Sequence, residues 1–170
     1  VFSGDGEEPL YGSTYLPRKF KVAVTVPGDN SVDLLTQDIG LVLFCDPQGR
    51  PQGCNVYVGG GMGRTHNKEE TFARTADPLG YVEAEHVLDL VQAILALQRD
   101  YGDRQTRRHA RMKYLIHDQG ITWFKQELQA RYFPHPIKGM RLEPKAKLED
   151  YLGWHRVSAG SWFVGIPLLC

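Results

Sequence analysis

The sequence predicts an α+β fold: a small antiparallel or mixed sheet with helices packed on one face, then the opening hairpin of a second α/β half-domain. Three observations carry that expectation. Up to about residue 82, short apolar runs alternate with Gly, Pro and Asp turns, which is the spacing of strands. From Glu83 the apolar spacing turns helical and continues to Phe133. After Ile137 the composition shifts to Lys, Pro and Gly, and two apolar runs then flank Ser158-Ala159-Gly160. Residues 1–136 are therefore expected to form the main domain, and residues 137–170 a linker with the first hairpin of a truncated second unit.

Residues 1–14, rich in Gly, Ser and acid, read as a mobile lead-in. The first strand follows Pro17, and positive charge crowds its mouth in Tyr15-Leu16-Pro17-Arg18-Lys19-Phe20-Lys21. Strand alternation puts Lys19 and Lys21 on one face, with Arg18 and Phe20 on the other. Adjacent ammonium groups repel unless an anion or carboxylate lies between them. The alternative is a pair of solvated lysines that keep a sheet edge from aggregating. Pro27-Gly28-Asp29-Asn30-Ser31 is turn chemistry, at which the chain is expected to turn back. Residues 32–38 read as a short helical turn, and Ile39 to Cys45 as a second strand closed by Asp46-Pro47-Gln48-Gly49. Cys54 to Val58 completes an antiparallel meander.

The third strand runs into Gly59-Gly60-Gly61-Met62-Gly63-Arg64-Thr65-His66. Glycines let backbone amides approach a ligand, and bare amides beside an arginine favour anions. A loose surface loop is the other reading. A dinucleotide fingerprint fails because His66 occupies its third glycine position, and no Lys-Ser or Lys-Thr follows as a phosphate loop requires. Ala76-Asp77-Pro78-Leu79-Gly80 reads as a further turn. Val87, Leu88, Val91, Ile94, Leu95 and Gln98 then mark one side of a helix that Gly102 can cap. Asp103 is expected to cap a second helix through His117. That helix would carry Arg104, Arg107, Arg108, Arg111 and Lys113, either as a solvated face or as a nucleic-acid surface. Thr122 is expected to cap a third, ending before Phe133-Pro134.

Composition excludes several function classes. The formal net charge is zero, so an anion site must come from local sorting of charge. No apolar run is long enough to span a membrane. Cys45, Cys54 and Cys170 are odd in number and lack CxxC spacing, which argues against a disulfide framework or zinc knuckle and for a reducing compartment. The six histidines form no helical HxxxH pair, so no metal site is expected from them. The apolar run ending at Cys170 reads as a strand without its partner, which suggests a piece of a longer polypeptide.

Three stretches together, Tyr15 to Lys21, Asn55-Val56-Tyr57-Val58-Gly59-Gly60-Gly61 with Arg64-Thr65-His66, and Gln98-Arg99-Asp100-Tyr101-Gly102-Asp103-Arg104, closely resemble the sirohaem-dependent sulfite and nitrite reductases. The best fit is to the ferredoxin-dependent assimilatory sulfite reductases. The resemblance implies that Lys19 and Lys21 grip the substrate oxyanion, and that Lys21, where nitrite reductases typically carry Asn, favours sulfite over nitrite. It implies sirohaem contacts from Arg18, Asn55, Gly60, Gly61, Arg64, Thr65, His66, Arg99 and Arg104. It also implies ferredoxin as electron donor, a second unit like the family's ferredoxin-reductase half-domain, and residence in the cytoplasm or the plastid stroma. The family holds a 4Fe-4S cluster on four cysteines in a CxxxxxC…CxxxC pattern, which this chain lacks. Sirohaem and cluster are thus expected in the full-length parent and neither in these 170 residues alone.

Overall fold

A computed structural model describes residues 8–146 and 151–166. Four strands form one mixed sheet in the order β1 (Val22–Thr25), β2 (Ile39–Cys45), β3 (Pro51–Val58) and β4 (Asp77–Glu83). The expected return at Pro27 is instead a crossover, because β1 and β2 run parallel, with Val22 beside Ile39 and Thr25 beside Val42. The β2–β3 pairing is antiparallel, as the meander predicts, and β3 pairs antiparallel with β4. Strand β4 replaces a predicted turn. Pro78 cannot donate to a ladder, and it is accommodated at the sheet edge beside a register shift between Val56 and Tyr57.

Three helices follow: α1 (Val87–Tyr101), α2 (Met112–Gln119) and α3 (Ile121–Arg131). They cover the sheet face made by Ile39, Leu41, Val56, Val58 and Val82, with Leu90, Ile94, Leu97, Ile116, Phe124 and Leu128 against them. Each fully buried aliphatic side chain contributes about 1.5–3 kcal/mol. The stripe on α1 is rotated from the expected one: Leu90, Ala93, Ile94 and Leu97 are buried, whereas Leu88 is 75% exposed. Gly102 does end α1, but at φ −64. Its requirement is room, since a Cβ there would lie 2.5 Å from the Gln98 carbonyl and 2.6 Å from Pro17.

Helix α2 starts nine residues later than Asp103. The Asp103 carboxylate accepts the amides of Gln105 (2.8 Å) and Thr106 (2.9 Å), which closes a local turn and leaves residues 104–110 outside any helix. The continuous basic helix on which a nucleic-acid surface was premised therefore does not form. Gly120, not Thr122, precedes α3.

Residues 8–15 are tied down rather than loose: Gly12 N–H reaches the Glu8 carbonyl (2.8 Å) and Arg99 Nη1 the Leu10 carbonyl (2.8 Å). The stretch expected as a linker also packs back as far as Glu143. Tyr81 and Lys138 exchange backbone bonds of 3.0 and 2.9 Å, and Arg141 lies 4.1 Å from the centre of the Tyr81 ring. Beyond it, β5 (Gly153–Ser158) and β6 (Ser161–Gly165) form the expected hairpin.

Candidate anion pocket

The strand mouth, the glycine loop and the start of α2 meet around a shallow cavity of about 200 Å³. Six cationic side chains line it: Arg18, Lys19, Arg64, Arg108, Arg111 and Lys113. Gly63, Thr65, Thr71 and Tyr114 complete the wall, and among the described residues no carboxylate side chain lines it. Like charges gathered in this way are unfavourable for folding unless an anion answers them.

Each cation is held differently. Arg18 Nη1 donates to the Arg107 carbonyl at 3.3 Å, and Arg108 approaches Glu70 at 3.7 Å. Lys113 is 1% exposed, and its Nζ donates to the carbonyls of Gly61 (3.1 Å), Gly63 (2.8 Å) and Phe72. It also lies 4.8 Å from the centre of the Tyr114 ring. Burial pushes the Lys113 ammonium below the ordinary lysine range; Arg111 adds to that and Asp38 opposes it. Arg111 Nη2 donates to Asp38 Oδ2 at 2.8 Å, and the Asp38 side chain is 0% exposed.

The residues singled out from sequence are only partly brought together. Arg18, Lys19, Arg64 and Thr65 line the cavity. Lys21 does not; its backbone N–H donates to Asp38 Oδ2 at 3.0 Å, and its carbonyl accepts Ile39 N–H at 3.0 Å. Because β1 begins only at Val22, strand alternation does not dictate the directions of Lys19 and Lys21. The amides of Gly60 and Gly61 are not bare: they bond the carbonyls of Gln37 (2.9 Å) and Arg74 (2.8 Å). Those glycines are needed for close packing, since a Cβ on Gly60 would sit 2.3 Å from the Leu35 carbonyl oxygen. His66 faces a separate hollow with Arg64, Asn67 and Glu69. Asn55 is buried on the opposite sheet face, where its amide clasps the backbone of Arg141 at 2.8 Å in both directions. Arg99 and Arg104 fasten the lead-in, Arg104 through the carbonyls of Thr14 and Tyr15.

Asp38, Thr71, Arg108, Arg111, Lys113 and Tyr114 were missed as site residues. Lys113 carried a signal, since a lysine preceding Tyr114-Leu115-Ile116 in an apolar register is a poor fit to a solvated face. Away from the pocket, His86, Asp89 and His135 bring ligand atoms within 4.8 Å of one another. Their imidazoles stack at 3.7 Å and 13°, so the in-plane lone pairs run side by side instead of converging on an ion.

What the pocket can do chemically is bind an anion. Several arginines and a lysine fit a ligand rich in carboxylates, or a small oxyanion. The volume lies below the 300–1,000 Å³ typical of enclosed ligand sites, which suits a small oxyanion or one edge of a larger ligand. A four-thiolate cluster does not fit. Cys45 is exposed on β2, Cys54 is buried on β3, and burial pushes the Cys54 thiol up to about 11, which keeps it protonated. Cys170 lies outside the described residues.

Residues 4–137 match the nitrite and sulphite reductase 4Fe-4S domain. The chain belongs to this family. Among its relatives in the nitrite and sulphite reductase family, a sulfite reductase [ferredoxin] of Synechococcus elongatus is 62% identical over 96% of this chain and 26% of its own length. The sulfite reductase [NADPH] hemoprotein beta-component of Shewanella putrefaciens is 43% identical over 91% of this chain and 27% of its own length. The solved structure of the Mycobacterium tuberculosis NirA protein superposes with a TM-score of 0.65 at 29% identity, covering 89% of this chain and 27% of that one. The chain thus spans about a quarter of these family members.

Proposed function

We propose that the parent protein reduces sulfite to sulfide with electrons from ferredoxin, and that this chain forms the cationic wall of its substrate site. The observation that carries the reading is the cavity that, among the described residues, six cations and no carboxylate line, with Arg18 and Lys19 of the strand mouth among them. The name of the Synechococcus relative supports both ferredoxin and sulfite. Sirohaem, when bound, would supply the redox chemistry; SO₃²⁻ + 6 H⁺ + 6 e⁻ gives S²⁻ + 3 H₂O.

The chain's residues supply position and field. Arg18, Arg64 and Arg108 would hold the carboxylates of the macrocycle. Lys19 can bind the sulfite oxyanion, stabilise charge as S–O bonds break, and pass protons to the departing oxygens. Lys21 serves beside it, with its backbone fixed at both ends. The hairpin β5–β6 opens the second unit, which lies with the cluster ligands in the rest of the polypeptide. No helix among the described residues is long and apolar enough to cross a membrane. We place the protein in the cytoplasm or the plastid stroma.

Nitrite reduction is the second reading, and the description of the matching family, which covers both nitrite and sulphite reductases, keeps it in view. Lys21→Asn in the parent enzyme separates the two. A shift in kcat/KM from sulfite towards nitrite supports the sulfite reading; an unchanged ratio removes it.

A further inference from the structure

We propose that Asp38 is a positioning residue of this pocket, which locks the strand mouth, through the Lys21 N–H, to the guanidinium of Arg111 so that Lys19 just before it and Arg111 address the same oxyanion. The inference rests on the anion-site reading above. A single oxygen, Asp38 Oδ2, accepts both the Lys21 N–H (3.0 Å) and Arg111 Nη2 (2.8 Å). Residue 21 is gripped on its other side too, because its carbonyl accepts the N–H of Ile39. The Asp38 carbonyl in turn accepts the Gly59 amide at 2.9 Å, and Arg111 Nη2 also reaches the Gly60 carbonyl at 3.3 Å. One buried residue therefore joins the strand mouth, the start of α2 and the glycine loop.

Charge gives that junction a purpose beyond holding the fold. Asp38 is a buried carboxylate in contact with the pocket cation Arg111 and with the backbone of Lys21. It compensates Arg111 from behind and fixes its guanidinium plane, while Arg18, Lys19 and Arg64 keep their charge for a ligand. Among the described residues, Asp38 Oδ1 and Arg111 Nε have no hydrogen-bond partner, so the pair is not fully used by the fold. Groups that orient binding residues in this way change affinity by roughly 10- to 100-fold when removed.

The test uses the cofactor-loaded parent enzyme with Asp38→Ala and Asp38→Asn, titrating sulfite against the macrocycle's visible absorption and measuring kcat and KM separately. Asp38→Ala should weaken sulfite binding by on the order of 10-fold or more, with kcat at saturation changing far less. Asp38→Asn retains an acceptor for the Lys21 N–H and should recover part of the loss. If Asp38→Ala does not fold, Asp38→Asn alone decides, with weakened sulfite binding expected. A folded, loaded variant that binds sulfite no more weakly than the wild type overturns the proposal, as does a fall in kcat at unchanged affinity. Lys19→Ala runs alongside: if it leaves sulfite affinity unchanged the pocket reading itself fails, whereas a loss there with silent Asp38 variants removes only this inference.

Discussion

Lys113 is a buried ammonium whose three N–H groups all meet backbone carbonyls, and among the described residues it has no carboxylate within ion-pair distance. Its charge thus clamps the glycine loop and adds to the potential of the pocket. Lys113→Met keeps the stem and removes the head, leaving the carbonyls of Gly61, Gly63 and Phe72 unpaired. It should cost about 3 kcal/mol in urea unfolding. A loss under about 0.5 kcal/mol, the range of a neutral surface change, would mean that the clamp is dispensable. For Asp38, burial pushes the carboxyl above its ordinary value, and the Arg111 hydrogen bond and charge only partly oppose this. The sign follows: the folded protein holds this proton more tightly than the unfolded chain. Its contribution is present below the ordinary carboxylate range and is lost as pH rises through the raised value. Asp38→Asn should flatten that limb of a stability-against-pH curve, and an unchanged slope would place the shift elsewhere.

At the scale of elements, the glycine loop separates packing from ligand approach. Gly60→Ala drives a Cβ into the backbone of Leu35 and Gln37, at 2.3 and 2.7 Å, and should destabilise by about 1–3 kcal/mol. Gly63 has nothing within 4 Å of such a Cβ, and Gly63→Ala should leave thermal stability within about 0.5 kcal/mol. Equal effects at the two positions would refute the packing account. Arg104 is the corresponding tie for the lead-in. Arg104→Ala removes its bonds to Thr14, Tyr15 and Arg99 and should speed proteolysis of residues 8–16, with little change in the melting of the sheet. The element pattern was legible where periodicity is strong: β2, β3, α1, α3 and the terminal hairpin. Strand β4 was not, because Asp77-Pro78-Leu79-Gly80 has turn composition, and only pairing with β3 plus the register shift makes it a strand. The basic cluster misled for a related reason. Asp103 has the chemistry of a helix cap, but it closed a turn that the chain then left.

For the molecule as a whole, apolar surface is left uncovered on the edge strand β1 and on the hairpin, among other positions. Val22 and Val24 on the edge strand β1 are 46% and 53% exposed, and Trp154 and Trp162 on the hairpin are 73% and 58% exposed. A two-stranded hairpin is marginal on its own. Its amides should therefore exchange with solvent faster than those of β2 and β3 in this chain, and slow down in the parent protein. Equal protection in both would show that the hairpin needs no partner. Purified alone, the chain should show no stoichiometric Soret or charge-transfer bands, because its anion pocket is only about 200 Å³ and its three cysteines cannot form a four-thiolate set. Full occupancy in an ultraviolet-visible spectrum would overturn that expectation.

Fold class, the meander, the helical half and the charged strand mouth were written in local spacing, since periodicity and turn chemistry act over a few residues. The resemblance in three short stretches added the family and the weight on Lys19 and Lys21. Only the tertiary structure decided that Asp38, Arg111 and Lys113 belong with Arg18, Lys19 and Arg64, while Asn55, Arg99 and Arg104 secure other parts of the chain. A charge's role depends on what it is buried against. For residues 73 positions apart, such as Asp38 and Arg111, that is set by how the sheet and helices pack, which no local pattern encodes.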